Sequence, residues 1–175
     1  MSSHSPTSHR FYSQRLRLHY VEWGDPKAPT IVFVHGVRDH GRTWDDLLAH
    51  FIDDYHIVVP DLRGHGDSEW VQGSGYDYLD YLYDLYQLIV QNDFGPVVLV
   101  GHSLGGAITS FFAGAYPELV SKLVVIEGIG LWQRDVEDTS LAEKLRNWVE
   151  TTQSLAERQP KRYDSLEAAY QRMQQ

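Results

Sequence analysis

The chain has 175 residues, 42% of them apolar and 22% charged, with a formal net charge of −9 and no cysteine. That length suits one domain with one sizeable core, and the composition is that of a folded globular protein rather than a disordered one. The acidic balance argues against the clustered basic surface that nucleic acid or an anionic membrane requires. The lack of cysteine excludes disulfides, zinc–thiolate centres and a thiol nucleophile.

Residues 1–9, in the stretch MSSHSPTSHR, hold no apolar run and are expected to form a polar, disordered leader. Residues 15–23 alternate through Leu16, Leu18 and Tyr20 as a half-buried strand, closed by the turn chemistry of Gly24-Asp25-Pro26. Thr30–Val34 is a short β-branched run with the character of a buried central strand. This opening pair of strands is expected to form an antiparallel edge. Trp44, Leu47, Leu48 and Phe51 fall at helical spacing, and His56–Val59 reads as a further buried strand. A helix over 77–90 is predicted with Leu79, Leu82, Leu85, Tyr86, Ile89 and Val90 on its stripe; the surrounding tyrosines read as helix packing and surface. Strands follow at 97–100 and 121–126, with a small-residue helix over 103–116 between them. Strands alternating with helices imply βαβ units, hence an α/β fold with a mostly parallel sheet and helices on both faces. After Gly130 glycine disappears, and the stripes Leu141, Leu145, Trp148, Leu155 and Leu166, Tyr170, Met173 predict two helices. No apolar run nears the ~18 residues of a membrane span, so no membrane contact and a cytoplasmic setting are expected.

The pattern that carries chemistry is Gly101-His102-Ser103-Leu104-Gly105-Gly106, a match to G-x-S-x-G. Read bare, it is a glycine-rich turn between a strand and a helix. Its place directly after a buried strand and at the start of a helix is what a nucleophile elbow needs. A serine on so sharp a turn is strained, and its neighbours must lack side chains for strand and helix to approach.

With His35-Gly36 after one strand and Asp61-Leu62-Arg63-Gly64-His65-Gly66-Asp67-Ser68 after the next, the three blocks stand in the order found in α/β-hydrolases, and the chain resembles that family over residues 10–130. The resemblance implies an α/β-hydrolase core at 10–130 and a partial helical cap at 131–175, with the sheet incomplete at its C-terminal side. It implies Ser103 as nucleophile, with the backbone N–H groups of Val37 and Leu104 as the oxyanion hole and Gly101 and Gly105 as the elbow glycines. Glu127, at the tip of the strand ending at Ile126, is the candidate triad acid, against the reading of a loop carboxylate with no role. The Asp61–Ser68 block and His35 are read as scaffold, and His102 as pointing away from the Ser103 hydroxyl. Family members that are epoxide hydrolases or haloalkane dehalogenases carry aspartate in place of the serine and are disfavoured here; esterases, lipase-like enzymes, carbon–carbon bond hydrolases and cofactor-free perhydrolases remain, and an ester-like small-molecule substrate is the expectation. Trp132 and Trp148 are candidates for an acyl site or for helix packing. No cofactor is implied, and His35, His40, His65 and His102 lack metal-ligand spacing, so no metal is expected.

A serine hydroxyl needs a base, and the family places its histidine after the acid. None of the nine histidines follows His102. The chain is therefore expected to be the N-terminal part of a serine hydrolase, truncated or split and weakly active or inactive alone, with a non-catalytic binding protein on the same fold as the alternative. The strand over 121–126 is expected to leave an apolar sheet edge that invites self-association.

Overall fold

A computed structural model describes residues 5–73, 75–128 and 162–173, with isolated positions between 140 and 153. Two compact units divide at residues 135 and 136. In the first, six strands form one sheet: β1 (Thr7–Ser13), β2 (Leu16–Trp23), β3 (Thr30–Val34), β4 (His56–Asp61), β5 (Val97–His102) and β6 (Val120–Ile126). The spatial order is β1-β2-β4-β3-β5-β6. β1, β2 and β4 pair antiparallel, and β4, β3, β5 and β6 run parallel.

The parallel strands explain the unbroken apolar runs, because both of their faces are covered. On β3, Val32 and Val34 join a core with Leu85, Leu88 and Ile89 of α2 (Tyr78–Gln91) and Ile108 and Phe112 of α3 (Leu104–Ala115). Ile31 and Phe33 face the other way, into a core with Trp44, Leu48 and Phe51. The predicted helix over 42–51 is a 3-10 turn at Gly41–Trp44 followed by a single α turn, α1 (Asp45–Leu48). Asp77 caps α2 in a reciprocal box with Asp80.

Three expectations are corrected here. The leader is not frayed throughout, since Thr7, Ser8 and His9 belong to β1 and pair with Glu22, Val21 and Tyr20. β1 is mostly polar, holds only Phe11 and Ser13 buried, and turns into β2 through Gln14 and Arg15, both at positive φ. That is a primed hairpin turn without the glycine that would announce it. The antiparallel edge is β1 and β2, not β2 and β3, because the crossover from β3 brings β4 in between. The stripe of α2 is also rotated: its buried residues are Tyr81, Asp84, Leu85, Leu88 and Ile89, while Leu79 is 75% exposed and Val90 is exposed. A charged residue occupies the buried face because Arg63 waits there as its partner.

β6 ends the order of strands, and its Leu123, Val124 and Ile126 are exposed. In the second unit a helix spans Leu166–Met173, with Leu166 and Tyr170 on its exposed side. The stripe from Leu141 to Leu155, and Trp132 with it, lies outside the described residues. Among the described residues no helix is long and apolar enough to cross a membrane.

Candidate active site

From β3 the chain crosses toward β4, whereas from the neighbouring β5 it crosses toward β6. Ligands of open α/β sheets bind outside the carboxyl ends of strands at such a reversal. The two loops that leave there carry Gly36-Val37 and Ser103.

Ser103 has φ 51° and ψ −113° and stands as the N-cap of α3. The left-handed φ turns the chain sharply from strand to helix, a conformation costing on the order of 1–3 kcal/mol for a residue with a Cβ. The glycines around it have visible causes. A Cβ on Gly101 would lie 2.6 Å from the Gly105 carbonyl carbon, and one on Gly105 would lie 2.7 Å from the His35 carbonyl oxygen and closer still to that of Val34. The Ser103 N–H donates to the Ile126 carbonyl at 2.9 Å, which ties the elbow to the tip of β6. As the first residue of α3, Leu104 has an N–H without an intrahelical acceptor. A Cβ on Gly36 would fall 3.3 Å from the Ser103 Cβ, so the loop bearing Val37 lies against the elbow; the Val37 side chain is 60% exposed.

Glu127 follows Ile126 at φ 56° and is exposed. Ser103 and Glu127 thus occupy the tips of adjacent strands, both in the left-handed region. The Glu127 carboxylate is 3.9 Å from His102 Nε2. Gly128, which residue patterning did not single out, is needed because a Cβ there would lie 2.6 Å from the Gly106 Cα. Its only signal in the sequence is a glycine directly after a strand-end carboxylate.

Two histidines, His35 and His65, are built in as struts. His35 is fully buried; its Nδ1–H donates to the Gly36 carbonyl at 2.7 Å and its Nε2 accepts from the Leu62 N–H at 3.0 Å. Burial pushes its pKa down to about 4, so the ring is neutral and its lone pair is in use. His65 Nδ1–H donates to the Arg63 carbonyl and its Nε2 accepts from the Arg38 N–H, which joins the loops after β4 and β3.

Asp61 organises its block. Its Oδ1 accepts from the Gly41 N–H at 2.6 Å, and its Oδ2 from the Asp67 N–H at 2.9 Å and His19 Nδ1 at 2.7 Å. Burial alone would raise this carboxyl, but those hydrogen bonds outweigh it and bring the pKa to about 2. Arg63, also fully buried, donates from Nε and Nη2 to the two Asp84 oxygens at 2.6 Å each. Neither His19 nor Asp84 was singled out from sequence, because their partners lie 42 and 21 residues away.

Among the described residues, His19, Asp61 and Asp67 present ligand atoms within 4.8 Å of one another, whereas His35, His40, His65 and His102 form no such group. In the former group the His19–Asp61 contact is already a hydrogen bond and both Asp61 oxygens accept from donors.

Comparison with known proteins places the fold in a family. The alpha/beta hydrolase fold family matches residues 29–164. Lipase LipV of Mycobacterium tuberculosis is 37% identical over 131 residues, 73% of this chain and 49% of its own length. Epoxide hydrolase 4 of Mus musculus is 34% identical over 118 residues, 67% of this chain and 33% of its own. The crystal structure of the hypothetical protein PA1622 from Pseudomonas aeruginosa superposes with a TM-score of 0.84 at 26% identity, over 95% of this chain and 59% of that one. The chain thus spans about half the length of LipV and a third of the epoxide hydrolase. With the family matched over most of its residues and the elbow in place, the chain belongs to the α/β-hydrolase fold family.

Proposed function

We propose that this chain carries the nucleophile of a serine hydrolase acting on small carboxylic esters. The observation that carries the reading is the backbone of Ser103, held at φ 51° at the head of α3 beside the loop of Gly36 and Val37. In this reading the Ser103 hydroxyl attacks the acyl carbon, and the N–H groups of Leu104 and Val37 receive the oxyanion. Glu127 is the carboxylate that orients a histidine. The likeness to a lipase supports an ester; the likeness to an epoxide hydrolase is to the fold rather than the chemistry. A serine that opened an epoxide would leave an alkyl ether that water does not cleave, whereas its attack on an ester leaves an acyl-enzyme that water does cleave.

The base is the open position. No histidine follows Ser103 within these 175 residues, and both ring nitrogens of His35 are engaged elsewhere. As a 175-residue polypeptide the protein is therefore expected to turn over poorly, since loss of the histidine costs about 10⁶ in rate where serine and histidine act as a unit.

The test is hydrolysis of p-nitrophenyl butyrate with and without added imidazole, read beside Ser103→Ala and with the acylated peptide located by mass spectrometry. At each imidazole concentration the parent chain should exceed Ser103→Ala, whose rate follows the cleavage of the ester by free imidazole, and Ser103 should carry the acyl group. Absence of an acyl group on Ser103 at any imidazole concentration overturns the ester-hydrolase reading and leaves a binding role on the same fold. Fast turnover at Ser103 without imidazole would overturn the missing-base argument alone.

A further inference from the structure

A second set of three side chains lies in one hydrogen-bonded line across β1, β2 and β4. Ser8 Oγ is 2.9 Å from His19 Nε2, and His19 Nδ1 is 2.7 Å from Asp61 Oδ2. His19 and Asp61 are buried on β2 and β4, whereas Ser8 on β1 is exposed. We propose that Ser8, His19 and Asp61 form a serine–histidine–aspartate relay, separate from Ser103, that makes Ser8 a nucleophile toward small neutral esters.

The direction of each hydrogen bond follows from the surroundings. Asp61 is held ionised by the N–H groups of Gly41 and Asp67, so it can only accept, and His19 Nδ1 must carry the proton. That leaves Nε2 as the acceptor, and the Ser8 hydroxyl must donate to it. This is the arrangement in which an imidazole takes a serine proton while a buried carboxylate fixes its tautomer. Two further features hold it. The Ser68 hydroxyl accepts from the His19 N–H at 2.9 Å and donates to the Asp61 carbonyl at 2.6 Å, locking β2 against the loop after β4. Gly66 sits at φ 50°, and a Cβ there would overlap the Asp61 carboxylate, so only glycine leaves the acid its seat.

The relay opens into a cavity of about 330 Å³ whose lining includes Pro6, His40, Arg42 and Asp67. A space of this size takes a small molecule. Arg42 is held bidentate by Asp45, which offsets its charge, and Asp67 adds a negative one; the balance disfavours anionic substrates. Asp61 is two strands from β5, about 10 Å at ordinary strand spacing. The inference does not rest on the reading of Ser103.

The reaction balances without a co-reactant. With an ester, the Ser8 Oγ–acyl bond forms and the alkoxide leaves with the proton that His19 took. With a fluorophosphonate probe the Oγ–P bond forms, the P–F bond breaks, fluoride leaves and the proton passes through His19 Nε2 to solvent. The probe is applied to the full chain carrying Ser103→Ala, and labelled peptides are followed by mass spectrometry. Ser8 should label on the order of 10² times faster than the exposed Ser121, the lower range for general-base assistance. Labelling at residue 8 should vanish in Ser8→Ala and fall to the Ser121 rate in His19→Gln. Equal rates at Ser8 and Ser121 overturn the proposal, as does a folded His19→Gln variant that labels at the parent rate. The comparison within one molecule stays decisive even where His19→Gln fails to fold.

Discussion

Removal of the Asp84 carboxylate should unfold this domain more readily than removal of any comparably sized surface group. Arg63 is 1% exposed and Asp84 4%, so the guanidinium left behind in Asp84→Ala cannot reach water. It would lose the two 2.6 Å bonds from Nε and Nη2. It would keep the carbonyls of Gly75 and Asp80, the side chain of Gln14, and the Asp80 carboxylate at 3.3 Å from Nη1. Breaking a buried pair typically costs about 3–5 kcal/mol, and the surviving acceptors place this case near the lower end, about 3 kcal/mol. For a chain of this size that is a fall in Tm of roughly 6–12 °C. Urea unfolding followed by circular dichroism gives the same quantity as a shift in midpoint at unchanged slope. The double variant Arg63→Met, Asp84→Leu removes both charges and should recover most of the loss. A cost below about 1 kcal/mol for Asp84→Ala would refute the reasoning that the buried Arg63 charge depends on this carboxylate.

Other outcomes follow from the same structure. Gly105→Ala drives a methyl into the carbonyls of Val34 and His35 and should cost about 3 kcal/mol or more, as overpacking against rigid backbone does. Gly114→Ala, where a Cβ meets nothing within 4 Å on the same helix, should instead stabilise by about 0.5–1 kcal/mol; equal effects at the two positions would contradict the elbow packing. Below pH 6.5 an unfolded chain protonates the residue-35 imidazole, while the folded chain resists until about pH 4. Stability is therefore lost as pH falls across that window, by about 3 kcal/mol in all, and His35→Asn should flatten this part of the profile. Asp61 acts in the next window down, because its depressed pKa gives stability that is present above 3.8 and lost toward about 2. The exposed apolar residues of β6, Leu123, Val124 and Ile126, are expected to promote association, and a monodisperse monomer by light scattering at high concentration would count against it.

The central strands and the elbow were legible in the sequence for local reasons. A parallel strand buried on both faces must be a continuous apolar run, and a serine between strand and helix needs glycine on both sides, so Val97–Gly106 declares itself within ten residues. β1 was illegible because its hydrogen bonds belong to the backbone, its side chains are mostly polar, and its turn uses Gln14 and Arg15 in place of glycine. The buried face of α2 was misjudged for a related reason. Patterning places apolar residues inward, and Asp84 is inside only because Arg63 arrives from 21 residues earlier.

By itself the sequence determined the α/β alternation, the elbow serine, its enforced glycines and the lack of any histidine after His102. Those are properties of short segments, written in neighbouring residues. Only the tertiary structure decided that His35 is a neutral strut, that Ser103 and Glu127 share the tips of adjacent strands, and that Ser8, His19 and Asp61 meet at all. Charge and hydrogen-bond partners at such range are set by strand order and register, and the insertion of β4 between β2 and β3 is what brings Asp61 to His19.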